Sequence, residues 1–304
     1  MTDSVSVLKI ASGEINVERP LVVGVVNATP DSFSDRGDRS TEGSIRQVDS
    51  HLRSGAAIIE VGGESNVTNR PAVTADIEIS RVLPVVESAV SAGATVSIDT
   101  YKPEVAEAAL SAGAAIVNDI SGSDSEAMLS VCAKHGAGMV VMHTEVRPKT
   151  QKWDENLYPQ GVSTRLIDFF ETRLAELSAA GIERDQVVLD PGPDFAKTPA
   201  QTVDALQGLP QLKELGCLVM LAVSRKDFIG AITGRAPGER AGGTFAALAF
   251  GLQSGAKLLR VHDVAGAVDF LKVWQALQGE DAVDPGLRIA EEVRREPPSG
   301  PQVV

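Results

Sequence analysis

Eight times between residues 21 and 261 a short, β-rich apolar run is followed by a turn and then by a longer stretch whose apolar residues recur three or four positions apart. A run that is apolar throughout suits a strand buried on both faces, and a helical crossover between successive runs makes neighbouring strands parallel. The runs fall at 21–27, 57–61, 95–98, 115–118, 139–142, 186–189, 218–223 and 257–261. Between and after them lie the helical segments 43–54, 76–92, 103–112, 124–136, 162–180, 200–215, 239–254 and 265–278. Eight such units predict an α/β fold, a (β/α)8 TIM barrel, which commonly takes ~250 residues as a single domain. Ala-Gly or Ser-Gly pairs at Gly55, Gly93, Gly113, Gly181 and Gly255 precede the strands where left-handed helix caps belong. A doubly wound open sheet is the rival, but no Gly-x-Gly-x-x-Gly follows the first run.

The ends read differently from the middle. Residues 6–17 alternate about Ser12-Gly13 and suit a hairpin under the barrel, whereas the chain past 280 turns charged and proline-rich. The expected division is therefore 1–20 hairpin, 21–279 barrel, and 280–304 a frayed helix leading into a disordered tail. Against 28 Lys and Arg stand 41 Asp and Glu, a formal charge of −13, which repels nucleic acid and anionic membranes. The N-terminus lacks the pattern of a signal peptide and no apolar run approaches ~18 residues, so a cytoplasmic protein without a membrane partner is expected. Cys132 and Cys217 show no metal-ligand spacing and read as core thiols, and His51 and His135, in helical segments, as surface residues.

In a barrel of this type the strand interiors must be apolar and only the C-terminal ends face the mouth. Those ends carry Asn27, Glu60, Asp99, Asn118, His143, Asp190, Ser224 with Lys226, and Arg260 with His262. Any one of them can be read as the cap of the following helix; eight around one rim point to a site. Asp99, Asn118 and Asp190 offer carboxylate and amide edges suited to a flat heterocycle with adjacent N–H donors and a carbonyl. Arg225, Lys226, Arg260 and His262 lie after the last two strands, where barrels of this kind commonly bind phosphate. Trp153 and Tyr158, in the long loop after the fifth strand, read as rim-capping residues rather than ligand-stacking ones.

At these positions the sequence resembles the dihydropteroate synthases, from about Leu21 to Gly279. Asn27-Ala28-Thr29-Pro30-Asp31-Ser32-Phe33-Ser34-Asp35 is similar to the family's first-loop signature, and Glu60-Val61-Gly62-Gly63-Glu64-Ser65 to its second-strand motif. Ser97-Ile98-Asp99-Thr100, Val117-Asn118-Asp119, Met142-His143, Asp190-Pro191-Gly192, Ser224-Arg225-Lys226 and Arg260-Val261-His262 follow in family order. The resemblance implies a transferase joining 6-hydroxymethyl-7,8-dihydropterin diphosphate to p-aminobenzoate with release of pyrophosphate, a step of folate biosynthesis. It places the pterin on Asp99, Asn118, Asp190 and Lys226, and the diphosphate on Asn27, Arg260 and His262, with Asn27 also ligating Mg²⁺. Asp35, Phe33, Phe195 and Ser224 would close and line the acceptor pocket, and Asp35, Asp190, Lys226 and Arg260 would carry the catalysis. A homodimer acting on small molecules is implied by the resemblance alone.

The chain also departs from the family. Glu60 stands where aspartate is usual, Val67 where an ungapped alignment puts the second-loop arginine, and Arg70 matches that arginine only across an insertion. Asp194-Phe195-Ala196-Lys197 replaces Gly-Phe-Gly-Lys, leaving Asp194 facing the acceptor or, equally, solvent or Lys197. Ala222, Asp227 and Thr144-Glu145 depart from the usual residues too. Two alternatives stay open: a divergent relative using another acceptor, and a catalytically silent pterin-binding protein. A pterin-dependent methyl carrier is disfavoured by the first-loop signature and the Ser-Arg-Lys triplet.

Overall fold

The computed structural model of the chain describes residues 5–29, 40–65, 71–150 and 154–295. It opens with the expected hairpin, β1 (Val7–Ile10) antiparallel to β2 (Gly13–Asn16). Eight parallel strands then close into a barrel. They are β3 (Leu21–Asn27), β4 (Ile58–Gly62), β5 (Thr95–Asp99), β6 (Ile116–Asp119), β7 (Gly138–Met142), β8 (Val187–Asp190), β9 (Leu218–Leu221) and β10 (Leu258–Val261), and β10 returns to pair with β3. Each boundary lies within two residues of its expected place.

Around the strands run α1 (Thr41–Arg53), α2 (Ala75–Ser91), α3 (Pro103–Ser111), α4 (Glu126–His135) and α5 (Val162–Ala179). The second half adds α6 (Pro199–Gln207), α7 (Leu209–Lys213), α8 (Asp227–Thr233), α9 (Ala241–Gln253) and α10 (Val264–Gln278). Ser40, Thr74, Ser125 and Asp263 start their helices by accepting a backbone N–H from the first turn, and Thr198 with Gln201 forms a reciprocal capping box. The five glycines expected as left-handed caps all have positive φ.

Two departures have local causes. The expected helix over 200–215 is split into α6 and α7, because Pro210 near the start of α7 has no N–H to continue the ladder. The short α8 has a central glycine and two isoleucines, a poor helical sequence, and forms because Phe228 and Ile229 are buried. Past 280 the expected frayed helix is instead a mostly exposed run of turns ending in a 3-10 turn at Glu291–Val293.

The interior is layered. Leu8, Ile10 and Val17 of the hairpin pack against Val23, Ile58, Ile116, Val140, Val188, Leu218, Met220 and Leu258, which point into the barrel from the lower parts of the strands. Burying each of these three stabilises by ~1.5–3 kcal/mol, which holds in place a hairpin too short to stand alone. The bottom of the barrel is sealed. A second, larger core lies between the strands and the helices. There α9 approaches β9 so closely that a Cβ at Gly251 would lie 1.8 Å from Leu221 Cδ1, so any larger residue would force the buried Leu221 side chain to move.

Candidate active site

Because side chains alternate along a strand, a residue two beyond an inward apolar one also points inward. Two above Ile58 stands Glu60, two above Ile116 Asn118, two above Val188 Asp190, and two above Leu258 Arg260. The apolar plug is thus overlaid by a polar floor. Asn27, Gly62, Asp99 and Asn118 are also neighbours in register across β3 to β6.

The floor is cross-bonded. Buried Glu60 accepts from Arg260 Nε, from Asn118 Nδ2 at 3.0 Å and from Ser97 Oγ at 3.5 Å. Arg260 Nη2 donates to Asp99 Oδ2 at 2.9 Å. Burial works against the Arg260 charge, but Glu60 and Asp99 outweigh it and raise its pKa. Because a carboxylate only accepts, the contact with Glu60 fixes which end of the Asn118 amide is nitrogen. Its oxygen, Oδ1, is then left buried with no donor. Asp190 Oδ1 accepts from Gly192 N at 2.8 Å, and burial pushes this carboxyl's pKa up against the pull of that N–H and of Lys226, Arg260 and Lys197.

Above the floor stands a rim built from the loops after β8, β9 and β10. Ser224 Oγ accepts from His262 N at 3.3 Å and lies 3.0 Å from His262 Nδ1. Burial, reinforced by Arg260, Arg225 and Lys226, pulls the His262 pKa down to about 3, so the ring is neutral near pH 7. Lys226 Nζ lies 4.4 Å from the centroid of the Phe195 ring. Burial lowers its pKa; Asp194 is the largest opposing influence.

Arg240 and Thr244, which sequence reasoning passed over, hold this rim together with Lys197 and Asp194. Arg240 is buried and donates to the carbonyls of Arg225 at 2.8 Å, Lys226 at 3.1 Å and Arg235 at 2.9 Å, and to Asp227 Oδ1 at 2.8 Å. Thr244 Oγ1 accepts from Arg225 N at 3.2 Å, which supports the left-handed backbone there (φ 60°). Lys197 is fully enclosed and donates to the carbonyls of His143 at 3.1 Å, Gly192 at 2.9 Å and Phe195 at 3.2 Å. Asp194 turns neither to the acceptor, nor to solvent, nor to Lys197. Its carboxylate accepts from the backbone N–H groups of Asp227 and Phe228 at the start of α8 and from Thr202 Oγ1. Beyond the end of β4, Lys102 bridges buried Glu64 and Glu78, and Lys149 Nζ lies 3.2 Å from Glu64.

Some expectations are corrected. His143 does not face the mouth: by parity it follows Met139 and Val141 outward, and it lies buried against Phe169 with centroids 4.8 Å apart. Its pKa is pulled down by burial to about 3. Tyr158, 5.9 Å away, is buried in the same cluster. His51 is a buried residue, with Nε2 3.0 Å from the carbonyl of Val25, and His135 is half-buried beside Glu107 at 3.1 Å. The cysteines are buried and free, as expected. Phe33, Asp35, Val67, Arg70 and Trp153 lie outside the described residues.

A sealed (β/α)8 barrel with an amide and carboxylates on its floor and cations on the rim beyond its last two strands defines the class of pterin-binding enzymes, and that family's sequence model matches residues 23–262. The dihydropteroate synthase of Bacillus subtilis (strain 168) is 38% identical over 272 residues, 88% of this chain and 92% of that protein. A Xanthomonas albilineans dihydropteroate synthase structure with 4-aminobenzoic acid superposes with TM-score 0.81 at 36% identity, over 91% of this chain and 99% of that one. Another from that organism, in complex with 7,8-dihydropteroate, gives 0.77 at 34% identity over 91% and 99%. The chain belongs to the dihydropteroate synthase family and is a transferase of that type.

Proposed function

We propose that this chain condenses 6-hydroxymethyl-7,8-dihydropterin diphosphate with p-aminobenzoate, forming dihydropteroate and pyrophosphate. The observation that carries this reading is the buried, unpaired Asn118 Oδ1 on a floor where Glu60, Arg260 and Asp99 already bond one another. An orphaned acceptor in that position calls for a ligand donor, and a pterin ring edge supplies one. Asp99, Asn118, Asp190 and Lys226 hold the ring. Asn27, His262 and the free edge of Arg260 take the diphosphate, and Phe195 and Ser224, with Phe33 and Asp35, take the acceptor. The chemistry stays within 21–279; the hairpin of 1–20 and the tail of 280–304 carry none.

Asp190 sits beneath the ring with a carboxylate poised to stabilise positive charge developing at the exocyclic CH₂ as its C–O bond breaks; the aromatic amine then attacks. Lys226 and Arg260 absorb charge on the oxygen side, and no covalent link to the protein is needed. Mg²⁺ fits at Asn27, whose amide oxygen is a hard oxygen donor at the end of β3 that diphosphate oxygens and water would complete. Among the described residues no three His, Cys, Asp or Glu gather into a metal cage, so the substrate would supply most of the coordination. When bound, the ion would neutralise charge on the departing pyrophosphate.

The same reading makes the protein a cytoplasmic homodimer acting on small molecules, without nucleic-acid or membrane partners. No helix among the described residues is long and apolar enough to cross a membrane. The alternative of another acceptor rests on the altered second loop together with Asp194; the two backbone N–H groups that the Asp194 carboxylate accepts weaken the second ground, while Val67 and Arg70 of the first lie outside the described residues.

Purified protein mixed with the dihydropterin diphosphate, Mg²⁺ and p-aminobenzoate is expected to release dihydropteroate and pyrophosphate in equal amounts. Lys226→Ala should lower kcat/KM by about 10²–10³-fold. Pterin binding without dihydropteroate formation by the unaltered protein would transfer the assignment to another acceptor.

A further inference from the structure

The loop after β8 holds two non-glycine residues in the left-handed region, Asp194 (φ 65°) and Ala196 (φ 50°), on either side of Phe195. That conformation costs an ordinary side chain of order 1 kcal/mol or more and persists only where the surroundings enforce it. The enforcement is visible. Asp194 N donates to Thr202 Oγ1 at 3.1 Å, Thr202 Oγ1 donates back to Asp194 Oδ1 at 3.3 Å, and Asp194 Oδ1 accepts from Phe228 N at 3.3 Å. Asp194 Oδ2 accepts from Asp227 N at 2.5 Å. A single carboxylate therefore ties the loop after β8 to the first turn of α6's neighbour, α8, and to α6 itself.

We infer that Asp194 is a positioning residue for the acceptor, a latch that fixes the Phe195 ring beneath the Lys226 ammonium by joining the loop after β8 to the loop after β9. The two sides of the latch are unequally supported. The backbone of Arg225 and Lys226 is also held by Arg240 and Thr244, so it keeps its place when Asp194 is lost. On the other side Phe195 has, besides Asp194, only bonds within its own loop: its carbonyl accepts from Lys197 and its N–H donates to the carbonyl of Gly192 at 3.2 Å. Loss of the latch should thus loosen the acceptor wall and spare the pterin floor, where Asp99, Asn118 and Arg260 bond among themselves and with Glu60.

The inference rests on the proposed synthase reading for its kinetic arm and stands free of it for its structural arm. Asp194→Gly removes the carboxylate while easing the left-handed backbone, Asp194→Ala removes it without that relief, and Asp194→Asn keeps one acceptor oxygen. In hydrogen exchange, the amides at the start of α8 should open roughly tenfold faster in the Gly and Ala variants and less so in the Asn variant. Kinetically, both should raise KM for p-aminobenzoate roughly tenfold, with kcat and the Kd for dihydropterin diphosphate within about twofold of the unaltered protein. Unchanged exchange at α8 in Asp194→Gly overturns the latch, as does a KM restored by Asp194→Gly alone, which would leave only backbone strain. An equal weakening of both substrates overturns its restriction to the acceptor. If the unaltered protein makes no dihydropteroate, the synthase reading fails and the exchange data still decide the latch.

Discussion

The floor of the mouth and the rim above it use the same side chains, carboxylates against lysines and arginines, yet they are held in different ways. On the floor the groups that face a ligand also bond one another: Glu60 meets both Arg260 and Asn118, and Arg260 meets Asp99. On the rim, Lys226, Arg225 and Phe195 are held from behind by residues turned toward backbone, namely Arg240, Thr244, Lys197 and Asp194. A floor of this kind fails as a unit, whereas a rim of this kind can be loosened piece by piece.

The sharpest way to separate the two is Glu60→Ala. It removes a buried partner from Arg260 and Asn118 together, and breaking such a pair costs about 3–5 kcal/mol. Chemical denaturation should show that loss, with kcat/KM down about 10²-fold or more, and Glu60→Asp should recover much of both. A stable, active Glu60→Ala protein would show that the floor does not act as a unit. Next in size is Arg240→Ala, which strips donors from three carbonyls and Asp227. Steady-state kinetics should show kcat/KM lower by roughly 10–100-fold with the fold intact by circular dichroism, and Arg240→Lys should not rescue it, since an ammonium cannot reproduce the planar fork.

Smaller again is the effect of His143, which belongs to neither region. Its pKa is near 6.5 when unfolded and about 3 when folded, so the unfolded chain takes up the proton first. Its contribution to stability is complete above pH 6.5 and is lost as pH falls toward 3, by up to roughly 1.4 kcal/mol per pH unit. Urea melts at pH 6 and pH 4 should show a shallower acid loss in His143→Phe than in the unaltered protein; an equal loss would mean that the ring is protonated in the fold. The smallest effect is expected at the half-buried surface residue Glu107 beside Lys134 and His135, where Glu107→Gln should leave both melting temperature and activity nearly unchanged.

The same contrast explains what could be read from the sequence. Strand positions follow from short continuous apolar runs, the hairpin from alternation about Ser12-Gly13, and the floor residues from their place at the strand ends, all visible in a few neighbouring residues. His143 was misplaced because strand-end position was weighed without parity; Val140 inward puts Met142 inward and His143 out. Arg240 was illegible for another reason: it stands 14 positions beyond Lys226, and nothing local marks it as the support for that loop. Lys197 belonged to a familiar motif, but its three carbonyl partners come from two different loops that only the closed barrel brings together. His51 looked like a surface residue on an amphipathic helix, and the close approach of α1 to β3 buried it.

The apolar packing beneath the floor, capped by the hairpin, has a kinetic meaning. A barrel stopped at one end has a single doorway, and traffic through it obeys last in, first out. A ligand resting on the floor must arrive before anything seated at the rim and cannot depart until the rim is clear. Binding order and the inhibition patterns of paired ligands would then follow from the packed apolar layer under the floor, Ile58, Ile116, Val188 and Leu258, with Leu8, Ile10 and Val17 behind it.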